Sequence, residues 1–537
     1  MTGAKRTVEV CDETLRDGGQ AEGIAFSVES KLILLQAFDE IGIHFVVGGW
    51  PFSNPRDIEF FKRAKELDLK TANLMPFGST RRKNLPPDED PNLLALVDTG
   101  CRYATIFGKS WTFHATEILR VSLEENLEMI RSSVDFLTQR GMNVLYDAEH
   151  FFDGYRHDAE YALASLRAAA EGGACRLVLC DTNGGALPSQ IAAAAAQVCE
   201  AFPDHTIGIH THNDSGTAVA NTLMAVEQGV AHVQGTFNGH GERCGNADLC
   251  AIIPNLELKM DCDVVGRDNL QELTRVSRLV NEMANHAHND KAPYVGRSAF
   301  AHKGGVHIDA ARKNSLSYEH IKPETVGNVQ RVLISDQAGR SAIIEKIESD
   351  YPHLDKRSPE VQRIYERLKE AEQFGYEFEG ADASFLLLAQ KAMGHFQPAF
   401  KRVGFRIIVE KFLTRDMRSE ATVKILDPSG AEEHSAAEGN GPINALDSAL
   451  RKALDRFYPQ FQHVFLQDYN VRVLDSQRST AARVRVLINS SDGEDTWGTV
   501  GVSENIIEAS WEALVDSFEY KIYKDERERK RNGQQTK

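Results

Sequence analysis

The chain has 537 residues, more than the roughly 250–300 at which a single core stops growing, so two or three domains are expected. Apolar residues make up 42% and charged residues 26%, an ordinary globular mixture that excludes a disordered or fibrous chain. The 78 acidic residues against 61 basic ones give a net charge of −17. That field repels polyphosphate backbones and argues against nucleic acid as a main partner.

No run of about 18 apolar residues occurs, and the N-terminus leads straight into a strand with no signal-peptide core. A cytoplasmic chain without a membrane span is therefore expected. The eight cysteines, at 11, 101, 175, 180, 199, 244, 250 and 262, all lie in the first half and include no Cys-x-x-Cys pair. This excludes a paired-cysteine zinc site and a secreted disulfide framework, and predicts reduced, buried thiols.

Short apolar runs at 7–11, 44–48, 70–75, 102–107, 142–147, 175–180, 205–210 and 231–235 alternate with amphipathic or Ala-rich stretches such as 28–41, 122–140, 157–171 and 187–201. Eight strand–helix units in this length predict a (β/α)8 barrel over 1–265. An open doubly wound sheet is the rival, but no glycine fingerprint follows the first strand. A helical, then loop-rich linker is expected over 266–395, with the charged stretch 357–373 as a solvated helix. An α+β domain follows over 396–523, with strands at 405–410, 421–425, 471–474 and 483–488 and helices at 444–457 and 506–520. The tail from 524 to 537 is so charged that disorder is expected.

Polar residues collect where barrel strands end, the face on which such barrels carry their chemistry. Arg16, Asp17 and Gln20 follow strand one, Asp147 and Glu149 end strand five, and Thr182 follows strand six. His210 and His212 end strand seven, and the run 238–246 (NGHGERCGN) follows strand eight. Residues i and i+2 of a strand face one side, so the two imidazoles point into the barrel mouth together. With Asp17 as a third ligand they suit a divalent cation; two hydrogen-bonded histidines at a strand end is the alternative. Arg16 either offsets developing oxyanion charge or forms a structural pair with Asp17. Glu149 is an acid–base group or orients a neighbour, and Thr182 binds a carboxylate or caps a turn. Arg81, Arg82 and Lys83 read as a solvated basic loop, with a phosphate contact as the other reading.

The motifs TLRDGGQ, HTHND, NGHGERCGN and HKGGVHIDA together resemble the metal-dependent barrel acyltransferases and lyases that include isopropylmalate, homocitrate and citramalate synthases and hydroxymethylglutaryl-CoA lyase. The segments GGWPFSNPRD, FGSTRRKN, IFGKSWTFH and YDAEHFFDGY are similar to the (R)-citramalate synthase branch. This resemblance implies a Claisen-type condensation of acetyl-CoA with pyruvate that feeds isoleucine biosynthesis. It further implies a divalent ion (Mn2+, Mg2+ or Zn2+) on Asp17, His210 and His212, with Asn246 as a further or water-mediated ligand. Arg16, Gln20 and Thr182 would bind the 2-oxoacid. His307, Asp309 and Tyr318 would come from the partner subunit of a homodimer, with His307 and Glu149 handling the acetyl proton. His302 is a nearby competitor of His307.

Two departures from the pattern stand out. Val47 occupies the position before Gly-Gly-Trp-Pro where the family usually has an acid, and Phe52 replaces a small residue. The first leaves open a loosened Arg16 or an altered metal preference. In the last domain Gly439, Asn440 and Gly441 precede a helix, whose backbone N–H groups could receive a carboxylate; the resemblance implies an end-product amino acid, isoleucine, bound by this domain. Other readings are a homologue using 2-oxoisovalerate or 2-oxoglutarate, a lyase, or an inactive amino-acid sensor.

Overall fold

The computed structural model describes residues 5–535 apart from 304, 334–338, 412–416, 428 and 475–481. Residues up to Phe300 together with His320–Val329 form one compact unit, and Ala301–Glu319 with Gln330 onward form a second.

The first unit is a parallel barrel. Its strands are β1 (Glu9–Asp12), β2 (Phe45–Val47), β3 (Asn73–Met75 and Phe77–Ser79, either side of Pro76), β4 (Tyr103–Lys109), β5 (Asn143–Glu149), β6 (Arg176–Asp181), β7 (Thr206–Thr211) and β8 (His232–Gly235). The sheet runs from the first half of β3 through β2, β1, β8, β7, β6, β5 and β4 to the second half of β3. Pro76 lacks a backbone donor and interrupts that strand. Closure survives it: Thr105 N donates to the Pro76 carbonyl at 3.0 Å, and Phe77 N donates to the Gly49 carbonyl at 2.9 Å.

Alternation along the strands sorts the side chains. Cys11, Phe45, Val47, Met75, Phe77 and Leu145 pack together inside the barrel, while Val10, Val46 and Val144 join the shell of helices outside. The first helix, Val28–Ile41, shows how local sequence bounds these elements. Ser27 Oγ accepts from Ser30 N at its start, and Gly42 with φ 93° ends it. The helix Leu273–Met283 lies beyond the bound expected at 265 and buries Leu273, Val276 and Val280 in the same core.

The second unit carries the helices Arg340–Ile347, Pro359–Phe374 and Asp382–Met393 and two antiparallel three-stranded sheets. One sheet comprises β9 (Lys401–Glu410), β10 (Arg418–Leu426) and β11 (Glu432–Gly439); the other comprises β12 (Phe465–Val473), β13 (Val484–Ser491) and β14 (Thr496–Ser503). The sequence reading lacked β11 and β14. In β14 the alternation is hidden by Gly498 and Gly501, where an added Cβ would lie 1.7 Å from the Gly380 carbonyl and 2.0 Å from that of Ala509. Close backbone approach, not side-chain packing, sets that strand's composition.

One expectation is corrected. The final helix spans Ile506–Gln535, so the residues from 524 to 535 are helical. Lys521 and Lys524 reach Asp492 at 2.9 and 2.8 Å, and Arg527 reaches Asp350 at 2.6 Å. Charges that count against packing in the sequence are matched by acids from elsewhere in the unit. Among the described residues no helix is long and apolar enough to cross a membrane. All eight cysteines are unpaired; Cys244, in the loop after β8, is exposed, against the expectation of buried thiols.

Candidate active site

The C-terminal strand ends converge on a cavity of about 230 Å³. Arg16, Asp17, Gln20, Glu149, Thr182, His210 and His212 all line it, beside Trp50, Phe77, Phe107, Asp147, Cys180, Glu242 and Arg243. The cavity therefore gathers seven residues singled out in four separate loops or strands.

His210 and His212 project to one side of β7 with ring centroids 5.2 Å apart. Asp17 Oδ2 stands 3.4 Å from His210 Nε2 and 3.7 Å from His212 Nε2. These residues offer three ligand atoms within 4.8 Å of one another, all on buried side chains. Burial alone would raise the Asp17 carboxyl, but the Arg16 guanidinium and the imidazoles hold it well below the usual carboxylate range. His210 goes the other way: burial opposes its charge, yet the hydrogen bond and charge of Asp17 push it up to about 9. Burial and the neighbouring His210 push His212 down to about 4. Asn246 forms a backbone bridge with His212. Its side chain is buried, and its Oδ1 has no partner among the described residues. An ionised acid, two imidazoles and an unsatisfied amide oxygen fit a divalent cation.

Arg16 is held from three sides. Glu13 accepts from its Nε at 2.8 Å and lies 2.7 Å from Nη2, Asp17 lies 3.4 Å from Nη1, and the Phe77 ring centroid is 4.0 Å from Cζ. Val47 is fully buried among apolar neighbours inside the barrel. The carboxylate that contacts Arg16 here is that of Glu13. Phe52 is 39% exposed and packs against Arg82, 5.1 Å from Cζ to ring centroid.

Glu149 pairs with Lys109, its partner in register on β4. Thr182 Oγ1 accepts from His150 N at 2.8 Å, which leaves the hydroxyl proton to donate. Lys109, Glu13 and Gln234 were not singled out in the sequence. For Lys109 a signal existed: opposite charges at the ends of successive strands. The basic run 81–83 is less solvated than expected. Arg81 is buried, bonded to Ser132 Oγ at 3.0 Å and to Glu125 at 3.1 Å, and Lys83 reaches the Leu119 carbonyl at 3.1 Å.

In the second unit the exposed His307 packs on Tyr318 with ring centroids 4.4 Å apart. Asp309 pairs with Lys313 at 2.8 Å and Lys356 at 2.5 Å, which together push its carboxyl down to about 2. His302 Nε2 lies 3.0 Å from the buried Glu319. Gly439 ends β11, and Gly441 caps the helix Pro442–Leu454 without a side-chain bond. Asn440 N donates to Asn444 Oδ1 at 3.1 Å.

Comparison with known proteins agrees with this geometry. Residues 7–280 match the HMGL-like family, 294–375 the homocitrate synthase post-HMGL domain-like family, and 379–522 the LeuA allosteric (dimerisation) domain. The chain is 52% identical to an (R)-citramalate synthase of Geobacter sulfurreducens over 97% of this chain and 98% of that one. It is 50% identical to an (R)-citramalate synthase of Aquifex aeolicus, over 97% and 99%. A probable 2-isopropylmalate synthase of Methanopyrus kandleri is 30% identical over 95% of this chain and 97% of that one. With the barrel, its clustered Asp17, His210 and His212, and both C-terminal families present along one chain, this protein belongs to the (R)-citramalate synthase branch of the HMGL-like family.

Proposed function

We propose that the chain is an acyltransferase that condenses acetyl-CoA with pyruvate and hydrolyses the thioester, giving (R)-citramalate and CoA. The observation that carries this reading is the Asp17–His210–His212 cluster beside a fixed Arg16 in a small, aromatic-walled cavity. At about 230 Å³ that cavity is below the roughly 300–1,000 Å³ of pockets for drug-sized ligands, which suits a short 2-oxoacid. Isoleucine biosynthesis is the route this product serves.

Asp17, His210 and His212, with Asn246, would hold a divalent cation, which supplies Lewis-acid polarisation of a carbonyl when bound. Arg16 offsets negative charge on oxygen as the acetyl methyl loses its proton and its carbon bonds to C2 of the 2-oxoacid. Thr182 donates its hydroxyl proton to the substrate carboxylate, and Gln20 contacts the same group from the cavity's lip. Glu149, which pairs with Lys109, takes the methyl proton together with His307, Asp309 and Tyr318 of the partner subunit in the homodimer. Water then cleaves the thioester C–S bond, and the sulfur leaves as the thiol with a proton. Trp50, Phe77 and Phe107 wall the cavity and limit the size of the acid.

CoA release from acetyl-CoA across a panel of 2-oxoacids, with and without a chelator, tests the proposal. Chelator-sensitive release that prefers pyruvate is expected. Preference for 2-oxoisovalerate or 2-oxoglutarate moves the substrate, and no release on a folded, metal-loaded protein overturns the reading.

The C-terminal domain would pair two chains into a homodimer and bind isoleucine through the backbone at 439–441, as feedback on this route. Exposed Val403, Val409, Val471 and Val473 on β9 and β12 support an interface. Isoleucine bound by the folded form must raise its melting temperature. The unpaired thiols suit a cytoplasmic setting.

A further inference from the structure

We propose that His114, Glu149 and His150 form a second divalent-cation site on the barrel rim, separate from Asp17, His210 and His212. One ligand atom from each of the three lies within 4.8 Å of the others. The two imidazoles come from different elements: His114 opens the single π-helical turn His114–Leu119, and His150 caps the helix Phe151–His157. Their ring centroids are 4.0 Å apart.

Three features point to a ligand. The Nδ1 atoms of His114 and His150 are both buried, and neither finds a hydrogen-bond partner among the described residues. His150 is 9% exposed, and the nearest carboxylate to its Nδ1, Asp153 Oδ2, stands 3.6 Å away, beyond hydrogen-bond reach. The backbone is also committed to this placement. His150 holds φ 58°, ψ 32°, a left-handed conformation that a non-glycine residue keeps only where its surroundings enforce it; its N–H is anchored on Thr182 Oγ1 at 2.8 Å. Trp111 stacks on His114, with ring centroids 5.3 Å apart and planes 17° apart, and fixes that ring.

Donor chemistry sets the ion class. Two imidazoles and one carboxylate select Zn2+, Co2+, Ni2+ or Cu2+ over Mg2+, which prefers an all-oxygen shell. Lys109 already pairs with Glu149, so an arriving cation competes with an ammonium for one carboxylate oxygen. Imidazole-binding ions have the donor preference to win that competition. The proposal does not depend on the condensation reading, but it has a consequence there: a cation at this site takes Glu149 out of proton transfer, so excess Zn2+ or Co2+ lowers turnover.

Co2+ binding to the metal-stripped full-length protein, read by equilibrium dialysis and visible absorption, tests the site. The wild type is expected to bind two ions per chain, His114→Gln one, and the double variant His210→Gln/His212→Gln one with the absorption of the remaining site. His114 is only partly buried and lies on a short turn, so its replacement is expected to leave the barrel folded; circular dichroism checks this. Unchanged stoichiometry in folded His114→Gln overturns the proposal, as does complete loss of binding in folded His210→Gln/His212→Gln. If His114→Gln fails to fold, the double variant decides alone, since an ion retained there needs a second site. Normal wild-type stoichiometry with no citramalate formed would sink the condensation reading and leave this site standing.

Discussion

Gln234 Oε1 stands 2.8 Å from Nδ1 of His210 across the β7–β8 pair. An amide oxygen only accepts, so the imidazole carries its proton on Nδ1 and Nε2 is turned toward Asp17. The same amide donates through Nε2 to Asp147 Oδ1 at 3.2 Å, which fixes its orientation. Such outer partners set the basicity and aim of a ligating histidine, and their loss costs about 10–100-fold in metal affinity. Gln234→Met, of similar volume, is expected to weaken divalent-cation binding by about that factor with little change in melting temperature. Calorimetric titration of the metal-stripped protein measures it; unaltered affinity would remove Gln234 from the site.

Glu13 plays the corresponding part for Arg16. Both are buried from solvent at the barrel mouth, with Glu13 side-chain exposure at 0%. Removing one partner of such a pair leaves an uncompensated charge and costs about 3–5 kcal/mol. Glu13→Ala is therefore expected to lower both stability and kcat/KM, whereas Glu13→Gln keeps an acceptor for the guanidinium and loses less of each. Steady-state kinetics with pyruvate, beside urea unfolding, separate these effects. Equal losses in the two variants would mean that charge, not the hydrogen bond, positions Arg16.

These two helpers mark where the sequence was readable and where it was not. His210 and His212 announce themselves because period-two spacing places both on one strand face, and Asp17 follows from its place after β1. Gln234 sits inside an apolar strand, where a neutral amide carries no charge signal. Glu13 is hidden by its neighbours Asp12 and Thr14, whose carboxylate and hydroxyl bond each other at 2.6 Å. The eight barrel strands show as apolar runs, but the second half of β3 lies beyond Pro76, and β14 loses its alternation to glycines. The helical tail depends on Asp350 and Asp492, acids far away in sequence that no local pattern reveals.

A third relationship supports the cavity wall from behind. Lys31 Nζ lies 2.7 Å from Asp57 Oδ1 and donates to the Gly48 carbonyl at 2.8 Å, while Asp57 Oδ2 accepts from Trp50 N at 2.9 Å. Gly49 is required between them: its φ is 141°, and a Cβ there would lie 2.3 Å from Asp57 Oδ2. Asp57→Ala strands a buried ammonium and is expected to cost about 3–5 kcal/mol in urea unfolding. The double variant Lys31→Met/Asp57→Leu should recover much of that. A double variant as unstable as the single one would place the cost in packing instead of charge.

Glu519 gives the second unit a pH dependence of defined sign. It lies in the final helix, 6% exposed, and both carboxyl oxygens accept from Ala399 N, at 3.2 and 3.0 Å. Burial pushes its carboxyl up to about 7 from an ordinary 4.5, and the backbone bonds offset only part of that. The folded state therefore binds the proton more tightly than the unfolded chain does. Its contribution is fully present below pH 4.5 and is lost as pH rises through about 7, a loss of roughly 3 kcal/mol once the group is ionised. Glu519→Gln keeps an uncharged acceptor for Ala399 and has no proton to lose. Its melting temperature is expected to match the wild type near pH 5 and to exceed it increasingly toward pH 8. Parallel pH profiles for the two proteins would show that Glu519 ionises in the folded state at its ordinary pKa.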